Sequence, residues 1–243
     1  MGATLTVTNS VAIITIGPPT TRNALTGDAA RELLACLDEV DAHQDVGALV
    51  VRGADGQFCS GADRGLLAAA RERPNDPEVI GALAAIYESF QRLATLRVPT
   101  IAAIRGAAVG AGLNLALAAD VRVVARDARI ISGFLRIGLH PGGGHFRLLE
   151  RAGGAQATVA MTLLGEEIDG RRMVELGLAW ETLEDEAVES RALELAARAS
   201  APELIRDAVA TFRAQSEIGR MPMWAAIRAE QAGQWLSFVR APG

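Results

Sequence analysis

Residues 98 to 120, VPTIAAIRGAAVGAGLNLALAAD, constrain the fold more tightly than any other part of the chain. An apolar run that reads as a strand meets three glycines, Gly106, Gly110 and Gly112. An alanine- and leucine-rich stretch that reads as a helix follows. A buried helix of this kind brings bare backbone amides, and the positive end of its dipole, into the interior. Two uses of such a turn are open: cradling the phosphates of a dinucleotide, or holding an oxygen that becomes negative during reaction. The first wants the turn between the opening strand and its helix, with an acidic residue about 20 positions on. Here the turn lies mid-chain behind an opening hairpin, and Asp120 follows Gly110 by only ten residues. The second use wants two amides, because one alone makes a poor oxyanion hole. FCSGAD, residues 58 to 63, supplies a second small-residue turn behind the apolar run ALVVRG.

One absence removes several chemistries. All 24 basic residues are arginine. Without lysine there is no Walker A loop and no Schiff base. Tyr87 is the only tyrosine, so the Tyr-x-x-x-Lys pair of short-chain dehydrogenases is missing too. The net charge of −5 gives no ground for nucleic acid or an anionic membrane as partner. No apolar run approaches the roughly 18 residues of a membrane span. The N-terminus has no basic region before its apolar stretch and reads as strand, not signal peptide. Two cysteines, Cys36 and Cys59, fit a reducing compartment, and a cytoplasmic location is expected.

Along the chain, TLTVTNSVAIITIG predicts a hairpin turning at Asn9 and Ser10. Thr26 or Asp28 can cap a helix whose buried face is Leu33, Leu34, Leu37 and Val40. VGALVVRG reads as a buried strand, residues 64 to 76 as a mobile connection, and residues 77 to 96 as a long helix. VRVVARDARIIS gives two strands, and GLHPGGGHF a glycine loop feeding another helix. Beyond residue 155 the pattern is helical apart from a strand in LGLAWETL. The order strand-strand-helix recurs through the first two thirds.

With these motifs in order, the sequence resembles the crotonase, or enoyl-CoA hydratase/isomerase, family. The resemblance rests on RNAL (22–25), FCSGAD (58–63), VPTIAAIRGAAVGAG (98–112), AAD (118–120), IGLHPGGG (137–144) and LLGEEIDGRRMVELGLAWE (163–181). It implies an α/β, crotonase-like spiral of ββα units over residues 1–185, and a helical C-terminal region over 186–243 used in trimerisation. The assembly implied is a homotrimer or a dimer of trimers. The ligand implied is an acyl-CoA or enoyl-CoA, with coenzyme A part of the substrate and no separate cofactor. Its thioester oxygen would lie between the amides of Ala62 and Ala111, beside Gly110. Arg22, Ala24, Ser60, Ala62, Asp63 and Arg64 match the segments that meet the CoA nucleotide and pantetheine. Arginine would pair with its phosphates, which a forked guanidinium suits.

The pattern then breaks. The hydratases of this family use two glutamates, and the matching positions here are Asn114, a catalytic candidate that can orient water but not exchange a proton near neutral pH, and Phe134, which can do neither. Some isomerases, dehalogenases and cyclising members place an acid where this chain has Gly142. His140 and His145, bracketing PGGG, are the remaining candidates for a general base. No third ligand accompanies them, so no metal is expected. Asp63 reads as a helix cap, Asp120 as structural, and Cys59 and Ser60 lack the G-x-S-x-G setting of a nucleophile. Trp224, Trp235 and Phe238 belong to the C-terminal region, the two tryptophans as packing or interface residues. Two functions follow. One is an acyl-CoA enzyme (a divergent isomerase, hydrolase, decarboxylase or weak hydratase), and the other a non-catalytic acyl-CoA binder. A dinucleotide oxidoreductase fits less well.

Overall fold

The computed structural model describes residues 1–216 and 222–240. Strands β1 (Ala3–Thr8) and β2 (Val11–Ile16) form the expected hairpin, with Asn9 and Ser10 both at positive φ in its turn. Thr26 caps helix α1 (Gly27–Ala42) by accepting the Ala29 N–H at 3.1 Å, leaving Asp28 in the first turn to favour the dipole. Strands β3 (Ala48–Gly53) and β4 (Thr100–Ile104) are short apolar runs with few polar side chains, as strands covered on both faces must be.

Residues 64–76 differ from expectation. They form helix α2 (Arg64–Glu72) and a short turn, not a mobile connection. The Asp63 carboxylate accepts the Leu66 N–H at 3.0 Å, and Leu66, Leu67 and Ala70 face the core, outweighing the mixed charge on the outer side. Asp76 then caps α3 (Pro77–Ala94), with proline in its first turn.

Strands β5 (Ala107–Val109), β6 (Val121–Ala125), β7 (Arg129–Ile131) and β8 (Glu181–Leu183) complete two sheets. The larger runs β1-β2-β3-β4-β6-β8, parallel except for the opening hairpin. The smaller pairs β5 with β7 and is extended by single bridges, Cys59 to Ala108 on one side and Ile130 to Ile168 on the other. In successive units the first strand joins the large sheet, the second joins the small layer, and a helix follows. Helix α4 (Ala111–Ala118) follows β4–β5, and α5 (His145–Thr158) follows β6–β7. The fold is thus the α/β spiral of ββα units. All eight residues of α4 are buried, so its N-terminus points from the molecular centre.

Helices α6 (Gly170–Glu175), α7 (Val188–Ala196), α8 (Pro202–Ser216) and α9 (Met223–Arg240) make up the rest. Asp120 is structural. Its Oδ2 accepts the Thr100 N–H at 2.9 Å and pairs with Arg213 of α8 at 2.8 Å. Trp224 is exposed and stacks under Arg228 at 5.4 Å, Trp235 is half-buried against the core, and the Phe238 side chain lies outside the described residues. No helix among the described residues is long and apolar enough to cross a membrane.

Candidate active site

The two small-residue turns meet, and hydrogen bonds explain why. Cys59 N–H donates to the Ala107 carbonyl at 3.0 Å, and Val109 N–H donates to the Cys59 carbonyl at 3.1 Å. Two positions allow the approach only because they are glycine. A Cβ on Gly112 would stand 2.2 Å from the Cys59 oxygen, and one on Gly61 would stand 2.7 Å from the Val109 oxygen. That Gly61 Cβ position is also 3.7 Å from the Ala111 nitrogen, so the second turn abuts the start of α4. Gly61 takes φ +101°, a conformation that side chains resist.

This clamp leaves two amides over. Leu25 N–H donates to Gly61, and Asp63 N–H donates to Leu25, so the Ala62 N–H faces away from that pairing. Ala111 is the first residue of α4, where an amide has no intrahelical acceptor. Among the described residues neither amide has a backbone acceptor. Both residues line a cavity of about 180 Å³, together with Gly110, Asn114 and Phe134. A second recess of about 390 Å³ adjoins it through Ser60, Ala62, Arg64 and Val109, and adds Arg22, Ala24 and Asp63. The residues expected to contact CoA thus lie around these two adjoining hollows. Arg22 and Asn23 are both at positive φ, and the buried Asn23 amide holds their loop by donating to the Ala54 oxygen at 3.0 Å and the Gln57 oxygen at 2.6 Å.

A family model described as enoyl-CoA hydratase/isomerase matches residues 6–234. The chain belongs to the enoyl-CoA hydratase/isomerase family. It is similar to the probable enoyl-CoA hydratase EchA14 of Mycobacterium tuberculosis, at 41% identity over 90% of this chain and 84% of that one. It is also similar to the 1,2-epoxyphenylacetyl-CoA isomerase of Escherichia coli, at 30% identity over 78% of this chain and 72% of that one. Among solved structures, the enoyl-CoA hydratase of Bacillus halodurans shares the fold, with a TM-score of 0.89 at 20% identity over 98% of this chain and 95% of that one.

Within this hydratase/isomerase frame the histidines take places the sequence does not suggest. His145 lies at the start of α5 but is fully buried and does not line the cavity. The Asn114 Nδ2 donates to the Gly142 carbonyl at 2.9 Å, which leaves Asn114 Oδ1 to accept from His145 Nδ1 at 2.7 Å. With its proton on Nδ1, His145 accepts at Nε2 from Ser132 at 2.8 Å and Thr162 at 3.0 Å. Burial pushes its pKa down to about 3, so the ring stays neutral. This corrects the expectation of a base in the cavity: His145 positions Asn114. His140 does not line the cavity either; its Nδ1 donates to the Pro141 carbonyl at 2.7 Å, and its ring lies beneath Gly233 of α9.

The remaining site candidates are quiet chemically. Burial raises the Cys59 thiol to about 12, and Ser60 Oγ donates to the Thr21 carbonyl at 3.1 Å. No group of three metal-ligating side chains occurs among the described residues.

Two titratable groups escape sequence reasoning, Tyr87 of α3 and Glu230 of α9. Tyr87 lines the cavity, and Glu230 holds the first turn of α5, its Oε1 accepting the Phe146 N–H at 3.1 Å. Burial outweighs the bonds from that turn and lifts the Glu230 pKa to about 7. A carboxyl raised by folding stabilises less as pH climbs from its unfolded value toward its folded one, because the folded chain holds the extra proton. His145, lowered by folding, acts the other way below its unfolded value, so only a difference isolates Glu230. Subtracting the stability of Glu230→Gln from that of the wild type should give a curve that falls from about pH 4.5 to about pH 7 and is level above. Urea titrations across that range supply it, and a flat difference would remove the raised carboxyl.

Proposed function

We propose that this protein acts on acyl-CoA thioesters, holding the thioester oxygen between the Ala62 and Ala111 amides. The observation that carries the reading is the pair of unengaged N–H groups at one cavity wall. Such donors stabilise an enolate or tetrahedral oxyanion, each typically worth about 3 kcal/mol of barrier. The chain of the CoA would leave along the recess of Arg22, Ser60 and Arg64.

The cavity wall bears no carboxylate among the described residues. Asn114 and Phe134 stand where the hydratases carry theirs, and Asn114 is committed to His145 and Gly142. Loss of each acid–base group typically costs 10²–10⁴-fold. The chemistry is therefore one that carbonyl polarisation carries with little acid–base help, as a divergent isomerase, thioester hydrolase or decarboxylase. The locked Asn114 side chain favours one other reading, a pocket that binds acyl-CoA without turning it over. A homotrimer or dimer of trimers in the cytoplasm accompanies the proposal. The adjacent, exposed Leu163 and Leu164 support an assembly, since neighbouring large apolar side chains on a surface favour contacts.

The deciding experiment follows the conjugated enoyl-thioester absorbance with short- and long-chain enoyl-CoAs, beside a hydratase that keeps both glutamates. Expected is binding with hydration at least about 10²-fold below the control. Hydration at the control's rate would sink the low-acid–base reading, and absence of binding would sink the thioester site itself.

A further inference from the structure

The cavity beside the two amides is small and mostly apolar. Its volume is about 180 Å³, and Leu67, Leu83, Ile86, Phe134, Ile137 and Leu139 give most of its lining. Leu83, Ile86 and Leu139 are buried members of the core, so the cavity stops at them instead of running on through the protein. Gln234 of α9 adds one more side chain to this lining and is itself only 3% exposed. Its carboxamide is wedged against the loop before α5. The Nε2 donates to the His140 carbonyl at 3.4 Å, and a Cβ on Gly142 would stand 2.4 Å from Oε1 and 2.5 Å from Cδ and Nε2. The carboxamide thus fills the volume that a side chain at 142 would take, and Gly142 lines the cavity as well.

An apolar cavity of about 150 Å³ holds a benzene-sized group. The present one is little larger, and it must also take the thioester carbonyl, because Ala62 and Ala111 line it. That leaves room for about four to six acyl carbons, the carbonyl included. Two paths are open to a longer chain. It can press on the α3 and α9 side chains, which have packed core behind them, or it can turn out past Ile137, which is 47% exposed. The first path forces close-packed groups apart, and the second leaves the added methylenes in water, where they gain nothing. Burial therefore favours a chain that ends inside the cavity.

We propose that Gln234, with Leu83 and Ile86 of α3, forms the end stop of the acyl pocket and restricts it to short acyl groups of about four to six carbons. Gln234 is then a specificity-determining residue, placed by its wedge against Gly142. This rests on the acyl-CoA reading above. Calorimetric binding of acetyl-, butyryl-, hexanoyl-, octanoyl- and decanoyl-CoA tests it. Affinity should rise about fourfold per methylene until the pocket is full, at hexanoyl-CoA or before. Octanoyl-CoA should bind at least about tenfold more weakly than the best of the series. Gln234→Ala takes away the carboxamide and should raise the ratio of octanoyl-CoA to butyryl-CoA affinity about tenfold or more. Ile86→Val, a milder change in the same wall, should raise that ratio about fourfold, and it decides the matter if melting curves show that Gln234→Ala does not fold. Affinity that is level or still rising at decanoyl-CoA means that the chain leaves past Ile137, which overturns the short pocket and leaves the thioester site standing. A ratio unmoved in Gln234→Ala of wild-type Tm, or in Ile86→Val where it stands in for that variant, overturns the end stop. Failure of every ligand to bind overturns the thioester site as well.

Discussion

Ala111→Pro is expected to lower thioester turnover by about 10²–10³-fold and to leave the Tm close to that of the wild type. Position 111 opens α4, and the first position of a helix is where proline fits best, its fixed φ suiting the turn and its missing N–H costing no internal bond. The substitution therefore removes one donor of the amide pair while keeping the helix. Ala111→Gly, which keeps the N–H, should retain turnover. Rates for the two variants on the acyl-CoA that the protein converts, beside their melting curves, decide the matter. If proline and glycine behave alike, the α4 amide does not hold the reacting oxygen.

Gly112→Ala should do more damage by a different route. The new Cβ would lie 2.2 Å from the Cys59 carbonyl oxygen and 2.8 Å from the Cys59 Cβ. Helical backbone suits alanine, so the whole cost is space, and the obstacle is main chain that cannot rotate away. Overpacking of a tight interior costs about 1–3 kcal/mol, and here the upper end applies, a fall of roughly 10 °C in Tm. Because Cys59 precedes the Ala62 turn, the wedge also drives the two amides apart, and turnover should fall with stability. Gly81→Ala in α3, where a Cβ would meet nothing within 4 Å, serves as the control and should stabilise by up to about 1 kcal/mol. A Gly112→Ala protein as stable as wild type would mean that the turns are not in contact.

Those turns were legible in the sequence because a close approach of two backbones needs small residues on both sides, and GAG and SGA announce them locally. The hairpin at Asn9, the α1 cap and the buried strands were legible for the same reason: each is decided within a few residues. Helix α2 was not, since its exposed charges mask a short apolar stripe whose burial depends on the rest of the fold. His145 misleads because a glycine loop looks open until the chain that covers it is placed. Glu230 reaches the first turn of α5 only through the path of α9. One signal existed: Met223, Ile227, Glu230 and Gln234 follow helical spacing, so a carboxylate and an amide sit on a stripe begun by apolar residues. A charged residue on such a stripe marks a position where something must neutralise it, and here the first turn of α5 does so in part.

The position of α9 has a consequence for synthesis. The cradle of amides is made by residues 58–63 and 107–112, and it is available once the middle of the chain has folded. The wall that completes the cavity arrives with Gln234, while Ile227 and Glu230 close over Gly144 and the first turn of α5. Until α9 is in place that wall is missing, and the two turns face an unfinished cavity. The shape of the cavity is therefore fixed only when the final helix of the described residues docks, long after the strands that carry the two turns have been made.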